Sequence, residues 1–299
     1  MPDQNSYGFL LIDKPTDITS FSVLHQIDKH FHLSRAKQKL GHGGTLDPAA
    51  SGLLVAAVGK ATRLLRFFLG SDKRYLARVH LGARTTTDDA TGEVTETAPF
   101  GHITREMLES ALDAFRGPIK QVPPDFSALH VNGKRAYELA RKGKDVELPE
   151  RDATIYENVL TDCALPDDPV FGLDIACSGG TYIRSIAHDL GEVLGCHAHL
   201  CGLRRTESCH FNITQAHSLS FLLSQDELTP YLMPCEKALS FLPAVSLSKK
   251  EANDLMAGRP LKLRPLPKGA YRLQCEDTPK LLAVAEVGEK LELTRVATT

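Results

Sequence analysis

Gly41-His42-Gly43-Gly44-Thr45-Leu46-Asp47-Pro48, continued by Ala49-Ala50-Ser51-Gly52-Leu53-Leu54, is the stretch around which the rest of the chain is read. Three glycines about one histidine imply backbone in tight or left-handed conformations that other residues resist. Asp47 precedes a proline, which disfavours helix there, so its carboxylate belongs to an extended or turning segment. Taken alone, a glycine-histidine stretch of this kind reads as a turn carrying an Asx-type aspartate. The surrounding segments decide whether it is more.

Upstream, the apolar run at residues 8–12 stops at Asp13-Lys14-Pro15, as a strand entering a loop does. Thr19 or Ser20 can cap the next segment, where Val23, Leu24, Ile27 and Phe31 recur at helical spacing. Downstream, residues 74–81 alternate, with Tyr75, Ala77, Val79 and Leu81 on one face of a strand. Thr104 caps a helix whose stripe is Met107, Leu108, Ala111, Leu112 and Phe115, and Gly117-Pro118 stops it. Phe171, Leu173, Ile175 and Cys177 alternate in a further strand. Ser178-Gly179-Gly180 then turns into a helix with Ile183, Ile186, Ala187 and Leu190 inward, ending near Gly195. Strands and helices interleave without a βαβ rhythm, so the fold class is mixed α+β. Residues 121–151, with Pro123-Pro124 and few apolar periodicities, read as an exposed, partly helical excursion. After Pro243 the chain breaks into short strand-like pieces at 270–274, 281–287 and 291–296, which points to a small β-rich C-terminal domain beginning near residue 241.

A chain of 299 residues with 42% hydrophobic and 24% charged residues can build a substantial core. No apolar run approaches bilayer-spanning length, and the first six residues lack the basic start and apolar stretch of a secretory signal. A soluble cytoplasmic protein with no membrane association is expected. Seven cysteines, an odd number without a C-x-x-C pair, argue against a disulfide framework. A net charge of −2 argues against indiscriminate polyanion binding, so phosphate contacts must come from local clusters. The candidates are Arg35, Lys37 and Lys39, and the group Lys134, Arg135, Arg141, Lys142 and Lys144. Cys196, His197, His199 and Cys201, with Cys209 and His210 nearby, supply soft ligands, but their spacing matches no common zinc pattern. Neither a P-loop nor a G-x-G-x-x-G fingerprint is present.

The octapeptide 41–48 resembles, without a mismatch, the G-H-x-G-T-L-D-P signature of the bacterial TruB-type tRNA pseudouridine synthases. Residues 8–20 resemble that family's lysine-proline motif, with Asp17 where glycine is usual. Residues 73–94 are similar to its K-x-Y-x-A…L-G-x-x-T-x-T-x-D-x-x-G-x-V segment, and residues 121–128 to Q-x-P-P-x-Y-S-A, with Phe126 for tyrosine. Residues 177–185 and Leu203-Arg204-Arg205-Thr206 are close matches, followed by Cys209 where glycine is common. The resemblance spans about residues 8–235. Beyond it, Leu255-Met256-Ala257-Gly258-Arg259-Pro260-Leu261 and the later strands look only weakly like a PUA domain.

The resemblance implies a pseudouridine-synthase core, a mixed and largely antiparallel sheet with flanking helices, over residues 1–240. It also implies a T-arm-binding insertion at about 121–151 and a PUA-like RNA-binding domain over 241–299 that is dispensable for chemistry. The implied reaction breaks a uridine's N-glycosidic bond, turns the uracil and rejoins it through carbon, with no redox change and hence no cofactor or metal. Asp47 matches the catalytic aspartate; a carboxylate suits either attack on an electron-poor carbon or proton removal from the sugar. Arg184 is implied to pair with Asp47, its planar fork gripping both carboxylate oxygens. His42 matches the residue that fills the gap left by the extruded base, Tyr75 the one that stacks on it, Tyr182 a substrate contact and Leu203 an apolar pocket wall. Lys14 is expected to support the active-site loop. The partner implied is the tRNA T-arm stem-loop, with no obligatory protein partner. Two further readings stay open: a tRNA-folding chaperone without chemistry, and the catalytic subunit of a guide-RNA-dependent particle. The short stretch before Gly8 and the 121–151 insertion favour the stand-alone form over the second.

Overall fold

The computed structural model describes residues 7–124, 126, 130–131, 134–135, 148–261, 263 and 265–295. Strand β1 (Gly8–Lys14) leads into helix α1 (Ser20–Phe31), whose cap is Thr19: its hydroxyl accepts from the Ser22 amide at 2.9 Å. Then follow β2 (Leu40–His42), β3 (Ser51–Val58) and β4 (Lys73–Leu81), helix α2 (Arg105–Asp113), and β5 (Gly117–Gln121). Strands β6 (Arg151–Cys163) and β7 (Val170–Cys177), helix α3 (Ile183–Leu194) and strand β8 (Ala198–Ser208) complete the main body.

The spatial order of the ten-stranded sheet is His217–Ser218, β1, β3, β8, β4, β7, β6, β5, with β2 paired to β3 and Phe211–Asn212 to β8. All pairs along that path are antiparallel except β1 with His217–Ser218 and β3 with β8. The sheet is thus mixed and largely antiparallel, as the sequence implies. Late strand β8 lies between the early strands β3 and β4, which brings Arg205 opposite both Gly52 and Tyr75.

Strand β1 is apolar at every position from Phe9 to Ile12 because it is covered on both sides. Leu10 and Ile12 join a core with Val23, Leu108, Ile186 and Leu190 from the helices, while Phe9 and Leu11 join a second with Phe68, Phe211 and Leu239. In α2 the stripe is Leu108, Ala111 and Leu112; Met107, expected inward, stands at its edge, 42% exposed. Gly117 and Pro118 open β5 rather than merely ending the helix.

A separate four-stranded sheet follows: β9 (Ala244–Leu247), β10 (Gly269–Cys275), β11 (Thr278–Val287) and β12 (Leu291–Arg295), with α4 (Lys249–Met256) packed on it. Its core holds Val245, Leu247, Leu255, Leu273, Ala283 and Ala285. Leu281 and Val284 of β11, however, belong to the second core of the main body, with Phe9 and Phe68. Phe241 also meets Phe68 edge-on at 5.5 Å. A cut near residue 241 therefore passes through shared apolar packing.

Candidate active site

After His42 the chain leaves the sheet and returns to it at Ser51. Of Gly41, Gly43 and Gly44, Gly44 alone needs positive φ, at 139°. Gly41 and Gly43 are small for another reason: a Cβ there would stand 3.2 and 3.3 Å from Leu65 methyls. The loop's oxygens are then taken up by buried side chains. Arg205, 1% exposed, donates from Nε to Leu53 O (2.7 Å), from Nη2 to Gly44 O (3.2 Å) and from Nη1 to Thr45 O (3.4 Å). Lys14, fully buried, donates to Pro15 O, Ile18 O and Pro48 O at 3.0, 2.7 and 3.2 Å. Ser20 Oγ bonds both the amide and the carbonyl of Leu46. Lys14 thus ties the N-terminal turn to the loop. Its burial pushes its pKa down to about 8, against the pull of Asp47 and Asp17. At Gly52 (φ 104°) a Cβ would come within 2.3 Å of Arg205 O, so β3 and β8 can pair closely only with glycine there.

Asp47 opens a tight turn, its carbonyl accepting from the Ala50 amide at 3.1 Å, and its side chain is 40% exposed. Arg184, on the first turn of α3 and only 6% exposed, places Nε 3.1 Å from Asp47 Oδ2. The pairing that the sequence implies is present, but not as a grip on both oxygens. Nη1 donates to Thr87 O and Nη2 to Phe126 O, each at 3.1 Å, so both terminal nitrogens are occupied elsewhere. The guanidinium holds one carboxylate oxygen, and the Asp47 side chain as a whole stays 40% exposed. Asp89 stands behind, 3.9 Å from the same Nε and held by Thr87 and Thr91.

Asp47, Tyr75, Tyr182, Arg184 and Leu203 together line one cleft of about 250 Å³. Tyr75 is 7% exposed, and burial raises its hydroxyl pKa, so it presents a neutral ring. Tyr182 caps α3; its amide and carbonyl are clasped by the buried Gln121 side chain, both bonds 3.1 Å. His42 is half-buried on β2 and is not part of that cleft's wall. Burial and the Arg205 charge push its pKa down, which leaves the ring neutral at neutral pH. Two cations of the cleft were not singled out by sequence: Arg205 and Lys73. Each lies two residues from one that was, Leu203 and Tyr75, and the period-2 alternation of strands puts such residues on the same face.

A model of the N-terminal domain of TruB family pseudouridylate synthases matches residues 31–183, and a model of the tRNA pseudouridylate synthase B C-terminal domain matches residues 184–240. The chain belongs to the TruB family. It is a pseudouridine synthase, an isomerase that converts uridine to pseudouridine in RNA. The junction between the two matches falls inside α3, at Ile183–Arg184, and so marks no structural boundary. The chain is 40% identical over 281 residues to the tRNA pseudouridine synthase B of Trichormus variabilis, with 94% of each chain covered. It is 43% identical over 261 residues, 87% of each chain, to that of Parasynechococcus marenigrum. Among solved structures, a chain of a Cbf5-Nop10-Gar1 complex superposes with a TM-score of 0.72 at 25% identity, covering 99% of this chain and 85% of that one.

Two departures from the TruB pattern keep the backbone that glycine would adopt. Asp17 has φ 63° and donates its amide to Pro48 O; Cys209 has φ 58° and donates to Asp72 O. Aspartate tolerates this region better than cysteine does. Arg35, Lys37 and Lys39 are exposed on the segment between α1 and β2. Of the second basic group, Lys134 and Arg135 form a two-residue strand paired with His130–Val131, whereas Arg141, Lys142 and Lys144 lie outside the described residues, as does most of the expected helical excursion. The candidate zinc ligands do not gather: His197 pairs with Glu192 and Glu96, and His199 bonds Ala83 O. Among the described residues no three His, Cys, Asp or Glu side chains are grouped to hold a metal ion, and no helix is long and apolar enough to cross a membrane.

Proposed function

We propose that this TruB enzyme acts on one uridine of the tRNA T-loop, with Asp47 as the catalytic carboxylate. The observation that carries this is the half-open Asp47 side chain, held at one oxygen by a buried arginine, in the wall of a cleft that also contains Tyr75. A cleft of this size inside the body admits a base only after it has left its stack. Tyr75 then lies against the uracil, Leu203 forms the apolar wall, Tyr182 contacts the nucleotide, and His42 fills the space the base has vacated. Lys14 keeps the loop in register. The Asp47 carboxylate either attacks C1′ or takes the C2′ proton.

Residues 1–240 form the catalytic part, in which about 121–151 clasps the T-arm. Residues 241–299 add a PUA-like RNA contact, and the protein works in the cytoplasm without an obligatory partner, with a tRNA-folding role beside catalysis. The relatives at about 40% identity, named tRNA pseudouridine synthase B, favour this over guide-RNA dependence. The test is an unmodified T-arm stem-loop incubated with pure protein, with pseudouridine mapped by position. Product at one T-loop uridine is expected, and Asp47→Asn should lose it, on the order of 10⁴-fold, while filter binding stays within a few-fold. Product elsewhere, or a dependence on added guide RNA, overturns the substrate; near-normal turnover by Asp47→Asn overturns the role of the aspartate.

A further inference from the structure

The cleft carries three cations, and in two of them every guanidinium nitrogen is already engaged by a protein oxygen. Arg184 commits Nε to Asp47 and its terminal nitrogens to Thr87 O and Phe126 O. Arg205 commits all three nitrogens to loop carbonyls. Lys73 differs. Its residue is 8% exposed, it lines the cleft, and among the described residues the acceptor its ammonium reaches is Ser71 O at 2.7 Å. An ammonium has three donors. Two are therefore left at a site where unpaired burial is costly. Its place in the fold is set by β4, where Lys73 and Tyr75 are both inward, two residues apart. Burial and the nearby Arg205 charge lower its pKa, which makes it a readier hydrogen-bond and proton donor than an exposed lysine.

We propose that Lys73 is a catalytic residue that binds a uracil carbonyl oxygen and stabilises the charge the base acquires when its glycosidic bond breaks. This rests on the reading of Tyr75 and Asp47 given above, but not on which route Asp47 takes. If the carboxylate attacks, the Asp47 O–C1′ bond forms as N1–C1′ breaks. If it acts as base, the C2′ proton passes to Asp47, the C2′–H pair becomes the C1′=C2′ double bond, and N1–C1′ breaks. In both, the N1–C1′ electron pair leaves with the uracil, and N1, O2 and O4 share one negative charge. After the base turns, C5 bonds to C1′, the Asp47 oxygen or the C2′ proton is returned, and the C5 proton is lost to solvent while N1 takes one up. No electron is gained or lost overall. A fixed cation beside the developing charge in a water-poor cleft acts as an oxyanion hole does.

The experiment compares single-turnover cleavage by wild type, Lys73→Met and Lys73→Arg at saturating enzyme, on T-arm RNA carrying uridine or 5-fluorouridine at the target. Fluorine withdraws electron density and makes the base a better leaving anion, so it needs the cation less. Lys73→Met should be slower by roughly 10²-fold on uridine and by less than about 10-fold on 5-fluorouridine, with Lys73→Arg recovering part of the loss. RNA binding by filter assay shows whether each variant is folded. Equal slowing on both substrates would assign Lys73 a purely structural role, and a wild-type rate for Lys73→Met would remove it from the chemistry. Wild-type failure on either RNA would instead count against the substrate reading.

Discussion

At the loop of residues 41–53, buried cations bond backbone oxygens: Arg205 holds Gly44, Thr45 and Leu53, and Lys14 holds Pro48. At the seam beneath the C-terminal sheet, Leu281 and Val284 simply pack against the core that contains Phe9, Phe68 and Phe211. Hydrogen bonds are directional and place an atom within a few tenths of an ångström; apolar burial is non-directional and grows with area. The loop therefore governs where the Asp47 carboxylate sits, and the seam governs how firmly two sheets stay together. Stability and catalysis should separate along this line when each region is perturbed.

Arg205→Met should produce the largest effect. It leaves three carbonyls without donors, which costs about 3 kcal/mol or more of stability, and the loop shift should slow turnover by at least roughly 10²-fold. Urea unfolding and single-turnover rates check both. A folded variant with unchanged turnover would mean the loop needs no such frame. Val284→Ala should cost about 1–3 kcal/mol while the rate per folded molecule stays as in wild type. A rate loss there would erase the distinction between seam and loop. It follows that deleting residues 241–299 should lower the thermal midpoint markedly, because Phe68 and Leu239 lose their cover, so the C-terminal part is not dispensable for folding even if it holds no chemistry.

Lys14 supplies a smaller, pH-dependent test. Its folded pKa of about 8 lies below the ordinary lysine value of 10.5, so the unfolded chain holds more protons between those limits and stability from this group rises with pH. Wild type should gain on Lys14→Met across that window, by no more than about 1 kcal/mol per pH unit, in thermal unfolding from pH 7 to 10. Parallel curves would show that Lys14 keeps an ordinary pKa. Least of all, Cys209→Gly should stabilise by at most about 1 kcal/mol, by relieving a cysteine at φ 58°. Destabilisation would instead credit its 3.4 Å contact with His210.

Much of this frame could be read from residues alone. Strands β1, β4 and β7 follow from local patterns, because apolar runs and alternation are short-range signals, and the Asp47–Arg184 pairing was legible through the resemblance of residues 41–48 and 177–185 to the TruB motifs. What could not be read was set by long-range pairing. Alternation puts Arg205 on the face of Leu203 and Arg204 on the other, but only the pairing of distant strands shows that Arg205 is buried in the loop while Arg204 meets Asp13 and is 40% exposed. The same holds for the seam, since Val284 looks like any other strand valine until Phe68 is brought against it. His42 was legible as part of the glycine run, but its standing outside the cleft depends on β2 pairing with β3.

The position of β8 between β3 and β4 also has a consequence for how the enzyme is made. The glycine loop leaves the ribosome early, but the arginine that holds Leu53 O follows 152 residues later. At about 5–20 residues per second, that is a delay of roughly eight to thirty seconds. Until then the two halves of the sheet have no strand to join them, and the carbonyls of residues 44, 45 and 53 have only water to bond. A nascent chain ending before residue 205 carries its aspartate but no assembled cleft, so the newborn enzyme acquires activity only near the end of its synthesis.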